Sequence, residues 1–124
     1  ILVFDNGYNR NWVPNFGSAV KNYSRVVEYR IDAAKKTVQQ LWSYGKERGE
    51  GAFSQALSGV QYLTQTGNIL FFPGMGVKTS TGTGGRVIEI DPKTKEVLFE
   101  LEITTGSGTA FHRVTRIPLY PANL

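Results

Sequence analysis

The chain lacks several features that point to a function class in other proteins. It has no cysteine, one methionine and one histidine among 124 residues. Without cysteine it can form neither an internal disulfide nor a thiolate metal site, although cysteine-free chains occur in every compartment. It also lacks an uninterrupted apolar run of about 18 residues, so we expect no membrane-spanning helix. We expect no metal site and no cofactor in this chain.

Charge of one sign is not concentrated in any part of the sequence. The formal net charge is +4, and Lys35, Lys36, Lys93 and Lys95 fall in predicted hairpin tips, where solvation is the ordinary explanation. Binding of nucleic acid requires a basic stripe with aromatic platforms. No such stripe is present, so we expect no nucleic-acid partner. The sequence leaves open that the protein binds an anionic small ligand through a few Arg or His side chains.

The sequence does contain an internal repeat of one hairpin pattern. The first copy consists of residues 25–32 and 38–44, and the second of residues 86–91 and 97–103. Each copy has a five-residue connection, and 59 residues separate Asp32 from Asp91. A second similarity precedes each hairpin, since Ile1–Asp5 matches Ile69–Pro73, and the first copy has the longer loop, Asn6–Ser24. Such repetition is typical of stacked units that bury their apolar faces on each other.

Hydrophobic periodicity predicts β-strands almost throughout. Val27, Tyr29 and Ile31 alternate with polar residues, a period of two that is typical of strands with one buried face. The connections after Asp32 and Asp91 are short and polar, as in tight hairpins. The helix candidate is a short turn around residues 51–56. The sequence therefore predicts an all-β fold.

The number of strands in each unit favours a particular all-β architecture. Four antiparallel strands repeating at about 60 residues predict about two blades of a β-propeller. We predict the end of one blade over residues 1–48, one complete blade over 57–103 and the inner strand of the next blade over 109–120. The predicted strands are Ser58–Leu63, Ile69–Gly74, Gly85–Asp91, Val97–Ile103 and, for the next blade, Ala110–Leu119.

Two blades cannot close a ring, and this has two consequences for the chain. Its open strand edges are expected to associate, which makes a homo-oligomer possible. The sequence also opens on Ile1, inside an apparent strand and without an initiator methionine. We therefore expect it to be part of a longer protein.

Two local patterns suggest ligand contacts but also have simpler explanations. The glycine-rich stretches 74–76 and 81–85 suit phosphate-cradling loops, yet no helix pattern follows them, which favours flexible loops. Asp5 and Asn6 end a strand, where capping of the following turn is the expected role.

Aromatic and charged residues raise two further alternatives. Tyr8, Trp12 and Phe16 lie in the long loop, where they either stack on an aromatic substrate or pack on a neighbouring blade. The charged segment Glu47–Glu50 forms either an acid–base or metal cluster or a solvated surface. No histidine lies close to it in sequence, which favours solvation.

Four stretches of the sequence are more distinctive than general propeller signals. They are Ile1–Gly7, Tyr23–Asp32, Leu41–Gly49 and Arg116–Pro121. Together, and above all through Phe-Asp-Asn-Gly and Trp-Ser-Tyr-Gly-Lys-Glu-Arg-Gly, they resemble the C-terminal part of bacterial arylsulfate sulfotransferases. The resemblance implies a six-bladed propeller, periplasmic or extracellular. It also implies an enzyme of EC 2.8.2 type that moves a sulfuryl group from a phenolic sulfate ester to a phenol acceptor.

The resemblance also implies where the chemistry lies. In that family a histidine is transiently sulfurylated, and His and Arg residues from other blades hold the sulfate. This nucleophile is expected just before the strand that begins at Ile1. The chain would then carry no catalytic residue and would be inactive alone.

Three residues of this chain are low-ranked candidates for the channel of the propeller. In the family the catalytic histidine stands five residues before the apolar residue that closes an inner strand. The same count implies channel-facing positions for Ser58 and His112, where a hydroxyl and an imidazole can touch a sulfate or phenol oxygen. A one-residue slip would turn His112 outward and point Phe111 or Arg113 inward.

A second function class also fits the sequence. A noncatalytic propeller would bind a protein or saccharide partner through loops such as Asn6–Ser24. A histidine a few residues upstream of Ile1 would distinguish the enzyme from this binding module.

Overall fold

The computed structural model describes residues 1–8, 10, 22–105 and 108–119. These residues form eight β-strands and one short 3₁₀ segment, so the predicted all-β fold is confirmed. The strands are β1 (Leu2–Asp5), β2 (Arg25–Asp32), β3 (Thr37–Tyr44), β4 (Ser58–Leu63), β5 (Asn68–Pro73), β6 (Val77–Thr79), β7 (Gly82–Ile90) and β8 (Val97–Thr104), and the 3₁₀ segment is Lys46–Gly51. No helix in these ranges is long and apolar enough to cross a membrane.

The first three strands form one antiparallel sheet in the order β1-β2-β3. Val26 in the central strand lies opposite Phe4 on one side and Tyr44 on the other. Because alternate residues of a strand share a face, this row places three apolar side chains on one side of the sheet. That side faces the second sheet.

The remaining strands form a five-stranded antiparallel sheet. β4 pairs with β5, and β5 and β6 pair with opposite ends of β7. β8 pairs along β7 from Gly84 to Ile90. β4 has the predicted bounds, and β5, β7 and β8 begin or end within three residues of their predicted bounds. The three-residue strand β6 was not predicted, because it is too short to show a period.

The core lies between the two sheets. Phe71 of β5 is 1% exposed, and its ring lies 5.8 Å from Tyr44 and 6.4 Å from Phe4 of the first sheet. Val26 and Ile88 complete the contact from either side. Burial of each such side chain contributes about 1.5–3 kcal/mol. The two sheets therefore stack face to face, as propeller-like blades do.

Polar contacts join the same two sheets at their outer strands. The indole Nε1 of Trp42 donates to the carbonyl of Pro92 (2.8 Å), which lies in the β7–β8 connection. Arg48 donates to Glu100 of β8 (2.6 Å). Burial lowers the pKa of Arg48, but hydrogen bonds with Tyr44 and Glu100 outweigh it and raise the pKa overall.

Glu47 and Glu50 are exposed, in keeping with the interpretation of a solvated surface, whereas Arg48 is half-buried. Arg48 is bound to Glu100, and Glu50 accepts a hydrogen bond from Lys78 (3.0 Å). Glu47 accepts from the backbone amide of Gly45 (3.0 Å). The partners of Arg48 and Glu50 lie on the second sheet, which local charge patterning does not reveal.

The glycine-rich stretch 81–85 belongs mostly to strand β7, so its interpretation as a flexible or phosphate-cradling loop is wrong. A Cβ atom on Gly84 would lie 2.1 Å from the carbonyl oxygen of Ile103. A Cβ atom on Gly85 would lie 2.4 Å from the ring of Phe111. Glycine is needed here because the backbone and a ring approach the strand closely.

The predicted strand Ala110–Leu119 is not formed. Ala110 makes an isolated bridge with Met75, and residues 111–119 belong to no strand. A strand needs a hydrogen-bonded neighbour, and the described residues offer this segment none beyond that bridge. The segment is instead held by side chains, since Phe111 packs on Phe72 (6.4 Å between centroids). The assignment of 1–48, 57–103 and 109–120 to successive blades stays a prediction.

Some predictions concern residues outside the described ranges. Trp12 and Phe16 lie there, as do the last two residues of the stretch Arg116–Pro121. Tyr8 is described and its backbone carbonyl accepts a hydrogen bond from Asn22 (2.6 Å).

Candidate functional site

The three candidate residues Ser58, His112 and Arg113 line one cleft. It has a volume of about 540 Å³ and lies between the start of β4 and the segment 111–115. Its lining consists of Ser58, Gly59, Val60, Gln61, Phe72, His112, Arg113, Val114 and Thr115. Residues 112–115 therefore lie alongside the first residues of β4.

Ser58 opens β4, directly after a turn at Leu57. Leu57 has φ 54°, a left-handed conformation that costs an L-residue about 1 kcal/mol or more and turns the chain sharply. The Ser58 hydroxyl accepts a hydrogen bond from Nδ2 of Asn6 (3.1 Å) and donates to the carbonyl of Ala56 (3.2 Å). Ser58 is therefore held in place by the backbone beside it and by the first sheet.

A buried polar network surrounds this serine. Ser24 and Ser54 are 1% and 0% exposed. The Ser24 hydroxyl donates to the backbone carbonyl of Asn6 (2.8 Å) and accepts from the amide of Ser54 (2.9 Å). The Ser54 hydroxyl donates to Ala56 (2.7 Å) and accepts from the amide of Met75 (3.0 Å). Each buried hydroxyl is satisfied, so the network can tie the two sheets together without a desolvation penalty.

Asp5 and Asn6 were expected to cap the turn that follows them, and their described side-chain contacts also reach farther along the chain. The Asp5 carboxylate accepts from Arg10 (2.6 Å) and Arg25 (3.0 Å). Burial raises the pKa of Asp5, but the hydrogen bonds and charges of the two arginines outweigh it and lower the pKa overall. Asn6 donates to the carbonyl of Ser54, in the connection before β4, and to the hydroxyl of Ser58, the first residue of β4. Both residues therefore make long-range contacts.

His112 and Arg113 are both exposed at the rim of the cleft. Phe111 turns toward the sheet, where its ring covers Gly85 and Phe72. Phe111 thus packs on the five-stranded sheet, and which of these residues faces the channel of a propeller stays a prediction. The two residues after Phe111, His112 and Arg113, are exposed and line the cleft.

Arg113 differs from most other arginines of the chain. In the described ranges it makes no ion pair, whereas five others do: Arg10, Arg25, Arg48, Arg86 and Arg116. An unpaired guanidinium keeps all its donors for a ligand. Beside an imidazole and a hydroxyl it suits the oxygens of a sulfate or sulfuryl group.

The described residues show no arrangement for metal binding. No group of three or more His, Asp and Glu side chains there lies close enough to hold a metal ion. The cleft lining includes the Ser58 hydroxyl, the His112 imidazole and the Arg113 guanidinium, which can donate hydrogen bonds to an oxyanion.

Sequence reasoning missed Asn6, Ser24 and Ser54 as members of the site's supporting network. The bonds that join Asn6, Ser24, Ser54 and Ser58 to one another span 18 to 52 residues of sequence. No spacing rule links them, and small polar residues near strand ends are usually assigned to turns. The sequence signal that could have identified Asn6 is the distinctive Phe-Asp-Asn-Gly stretch, to which it belongs.

Comparison with known proteins gives consistent matches over most of the chain. The family model described as Arylsulfotransferase (ASST) matches residues 1–113. The chain is 39% identical over 114 residues to the arylsulfate sulfotransferase AssT of Lelliottia amnigena, and 39% identical over 114 residues to AssT of Escherichia coli O6:H1 strain CFT073. Each alignment covers 90% of this chain and 19% of the relative, so the chain spans about a fifth of the length of these curated relatives. With the family model matched over residues 1–113, the chain belongs to the arylsulfotransferase family.

Proposed function

We propose that the whole protein is an aryl sulfotransferase of EC 2.8.2 type. It transfers a sulfuryl group from a phenolic sulfate ester to a phenol acceptor. The observation that carries this proposal is the 39% identity to two arylsulfate sulfotransferases over 114 residues. We also propose a periplasmic or extracellular location and a six-bladed propeller, in keeping with the family resemblance.

The proposed reaction has two displacements at sulfur. An imidazole nitrogen of a histidine upstream of Ile1 attacks the sulfur, the S–O bond to the donor breaks, and a phenolate leaves. The acceptor oxygen then attacks the sulfur of the sulfo-histidine, the N–S bond breaks, and the acceptor proton passes to a base or to water. A neutral imidazole suits this role because one nitrogen attacks while a partner steadies the other.

The part of this chain in the reaction is to hold oxygens and not to attack sulfur. Ser58, His112 and Arg113 would donate hydrogen bonds to sulfuryl or phenol oxygens at the cleft, where the guanidinium charge of Arg113 stabilises the anion. The chain contributes no nucleophile in this scheme. We expect the chain alone to be inactive.

Association with further sheets is a separate part of the proposal. On the face of the five-stranded sheet away from the first sheet, Leu98, Phe99 and Leu101 are about half exposed and border an apolar hollow of about 600 Å³. Exposed apolar surface of this kind favours association, either with further blades or with another copy.

The test is an assay of the whole protein with 4-nitrophenyl sulfate, with and without an added phenol. We expect release of 4-nitrophenol only with the acceptor, and loss of transfer when the upstream histidine is replaced. Equal transfer by the histidine variant would exclude the sulfo-histidine intermediate. Absence of transfer in the unaltered protein would instead favour a noncatalytic binding module.

The role of the cleft is tested by Arg113→Ala. Loss of an ionic hydrogen bond to the sulfate should raise KM for the arylsulfate about tenfold or more. Arg30→Ala is the matched control, because Arg30 is also exposed and makes no ion pair within the described ranges. A similar KM in both variants would remove Arg113 from the site.

A further inference from the structure

We propose that Asn6 is a positioning residue that aims the hydroxyl proton of Ser58 into the cleft, toward a sulfuryl oxygen of the arylsulfate. This inference rests on the proposed function. It assigns to Asn6, which directly follows β1 of the first sheet, an effect on donor binding that it exerts through Ser58 alone.

The orientation of the Asn6 side chain is fixed by its partners. Nδ2 donates one N–H to the backbone carbonyl of Ser54 (2.9 Å) and the other to the Ser58 hydroxyl oxygen (3.1 Å). The carbonyl of Ser54 can only accept, so the amide must present its NH₂ group on this side. The backbone of Asn6 is held in turn by the buried Ser24 hydroxyl (2.8 Å).

The donation from Asn6 decides what the Ser58 hydroxyl can do. A hydroxyl that accepts from an N–H must send its own proton elsewhere. The present acceptor is the carbonyl of Ala56 at 3.2 Å. That carbonyl already accepts the shorter bond from Ser54 (2.7 Å). The Ser58 proton can therefore turn to a ligand without leaving a buried carbonyl unsatisfied.

The same donation makes Ser58 a better donor. Hydrogen bonds in a chain polarise one another, so a hydroxyl that receives one bond gives a stronger bond to the next acceptor. The chain runs from the Asn6 N–H through the Ser58 O–H to the oxygen of the ligand. Charged acceptors such as sulfuryl oxygens profit most from this arrangement.

The decisive variant is Asn6→Asp in the whole protein. It keeps the shape of the side chain but replaces the N–H donors with acceptor oxygens, so the Ser58 proton turns toward the new carboxylate and away from the cleft. We expect KM for 4-nitrophenyl sulfate to rise between about twofold and about tenfold. Asn6→Ala, which adds no charge, should raise KM in the same direction and serves if the first variant does not fold.

A double-mutant cycle separates positioning from support of the fold. In a Ser58→Ala background, Asn6→Asp should leave KM unchanged, because the hydroxyl on which it acts is gone. The midpoint of thermal unfolding should fall in both backgrounds. Asn22→Asp is the matched control, since Asn22 is buried, donates to the backbone carbonyl of Tyr8 (2.6 Å) and lies outside the cleft lining, so it should lower the unfolding midpoint with KM unchanged.

Two results would overturn the role of Asn6. One is an Asn6→Asp protein that is less stable but has the KM of the unaltered protein. The other is an increase in KM that persists in the Ser58→Ala background. Failure of the proposed function has a different signature, because the unaltered protein itself would then show no phenol-dependent transfer.

Discussion

The two copies of the hairpin, β2–β3 and β7–β8, share several features of local geometry but differ in the turn amide that the aspartate binds and in the position of the register shift. Lys36 and Lys95, at equivalent positions, are both left-handed, with φ 53° and 62°. The aspartate that opens each connection accepts a backbone amide through its carboxylate, from Lys35 (2.9 Å) in one copy and from Lys93 (2.7 Å) in the other. Each pair of strands also contains a register shift.

The same two hairpins differ greatly in burial. Ile88 and Ile90 of β7 are fully buried, whereas the equivalent residues of β2 are the half-buried Tyr29 and the exposed Ile31. β7 lies between the first sheet on one face and the segment with Phe111 on the other. The comparison shows that local sequence determines the shape of a hairpin, while its neighbours determine how much stability each position contributes.

The largest expected effect comes from truncating the equivalent residues Ile88 and Tyr29. Ile88→Ala should lower the free energy of unfolding by about 2–5 kcal/mol, because it leaves a cavity in a position packed on all sides. Tyr29→Ala should cost clearly less, since water reaches that side chain. Urea unfolding measures both, and equal costs would mean that the difference in burial has no energetic consequence.

A smaller effect is expected at Gly85, the position equivalent to Val26. Each lies opposite the corresponding residue of the next strand, Ile103 or Tyr44. Gly85→Ala should destabilise by about 1–3 kcal/mol, because its Cβ atom would displace the ring of Phe111. Gly51→Ala is the control, as a Cβ atom there meets nothing within 4 Å. A Gly85→Ala protein as stable as this control would show that Phe111 is not packed on β7.

The third prediction concerns Asp5, whose equivalent in the second copy is the buried Pro73. The folded-state pKa of Asp5 is below its ordinary value of 3.8. Its contribution to stability is therefore present above about pH 3.8 and is lost as the pH falls through the folded-state pKa. Asp5→Asn should lower the free energy of unfolding at pH 7 by about 1 kcal/mol or less, since the ion pairs are partly exposed.

Thermal unfolding across pH measures this contribution. The stability difference between Asp5→Asn and the unaltered protein should shrink as the pH is lowered below 3.8. A difference that is the same at pH 7 and at low pH would contradict an ionic role for Asp5.

The smallest effect is expected at the two hairpin tips. Replacing Lys36 or Lys95 with glycine removes the strain of a left-handed conformation, but glycine also loses more backbone entropy on folding. The net result should be a free energy of unfolding that is higher by about 0.5 kcal/mol. The gain should be smaller for Lys95→Gly, because the Lys95 ammonium lies 6.0 Å from the centre of the Trp42 ring. Differential scanning calorimetry compares the two variants. A loss of stability in either would mean that its tip does not need the left-handed conformation.

Strand positions were predictable because their signals are local. Period-two alternation and the repeated connection located β4, β5, β7 and β8 to within three residues. The same logic failed for Ala110–Leu119, where the residue pattern suits a strand but the described chain offers no pairing partner. A residue pattern shows that a segment favours the strand conformation, but a strand forms only where a neighbouring strand can hydrogen-bond with it.

The candidate site was predictable only in part. The family resemblance, through the position of its catalytic histidine before a strand end, implied Ser58 and His112, and with Arg113 they line one cleft, although their function stays a prediction. The roles of Asp5 and Asn6 were not predictable, because their partners depend on how two sheets dock. Ser54 and Ser58 are 48 and 52 positions from Asn6 in sequence and become its neighbours only in the folded protein.

The two walls of the cleft, β4 and the segment after Ala110, are held by different kinds of contact, and this affects how easily each wall opens. β4 forms a continuous set of backbone hydrogen bonds with β5. Residues 108–119 are held instead by packing of the Phe111 ring and by the Arg116–Glu89 ion pair (2.6 Å). Two backbone amides add to this, since Phe111 donates to the carbonyl of Gly74 (3.0 Å) and Arg116 to the side chain of Gln61 (3.1 Å). Such a segment can peel away without global unfolding. Deuterium should therefore enter its backbone sooner than that of β4, and an occupant of the cleft should delay that entry.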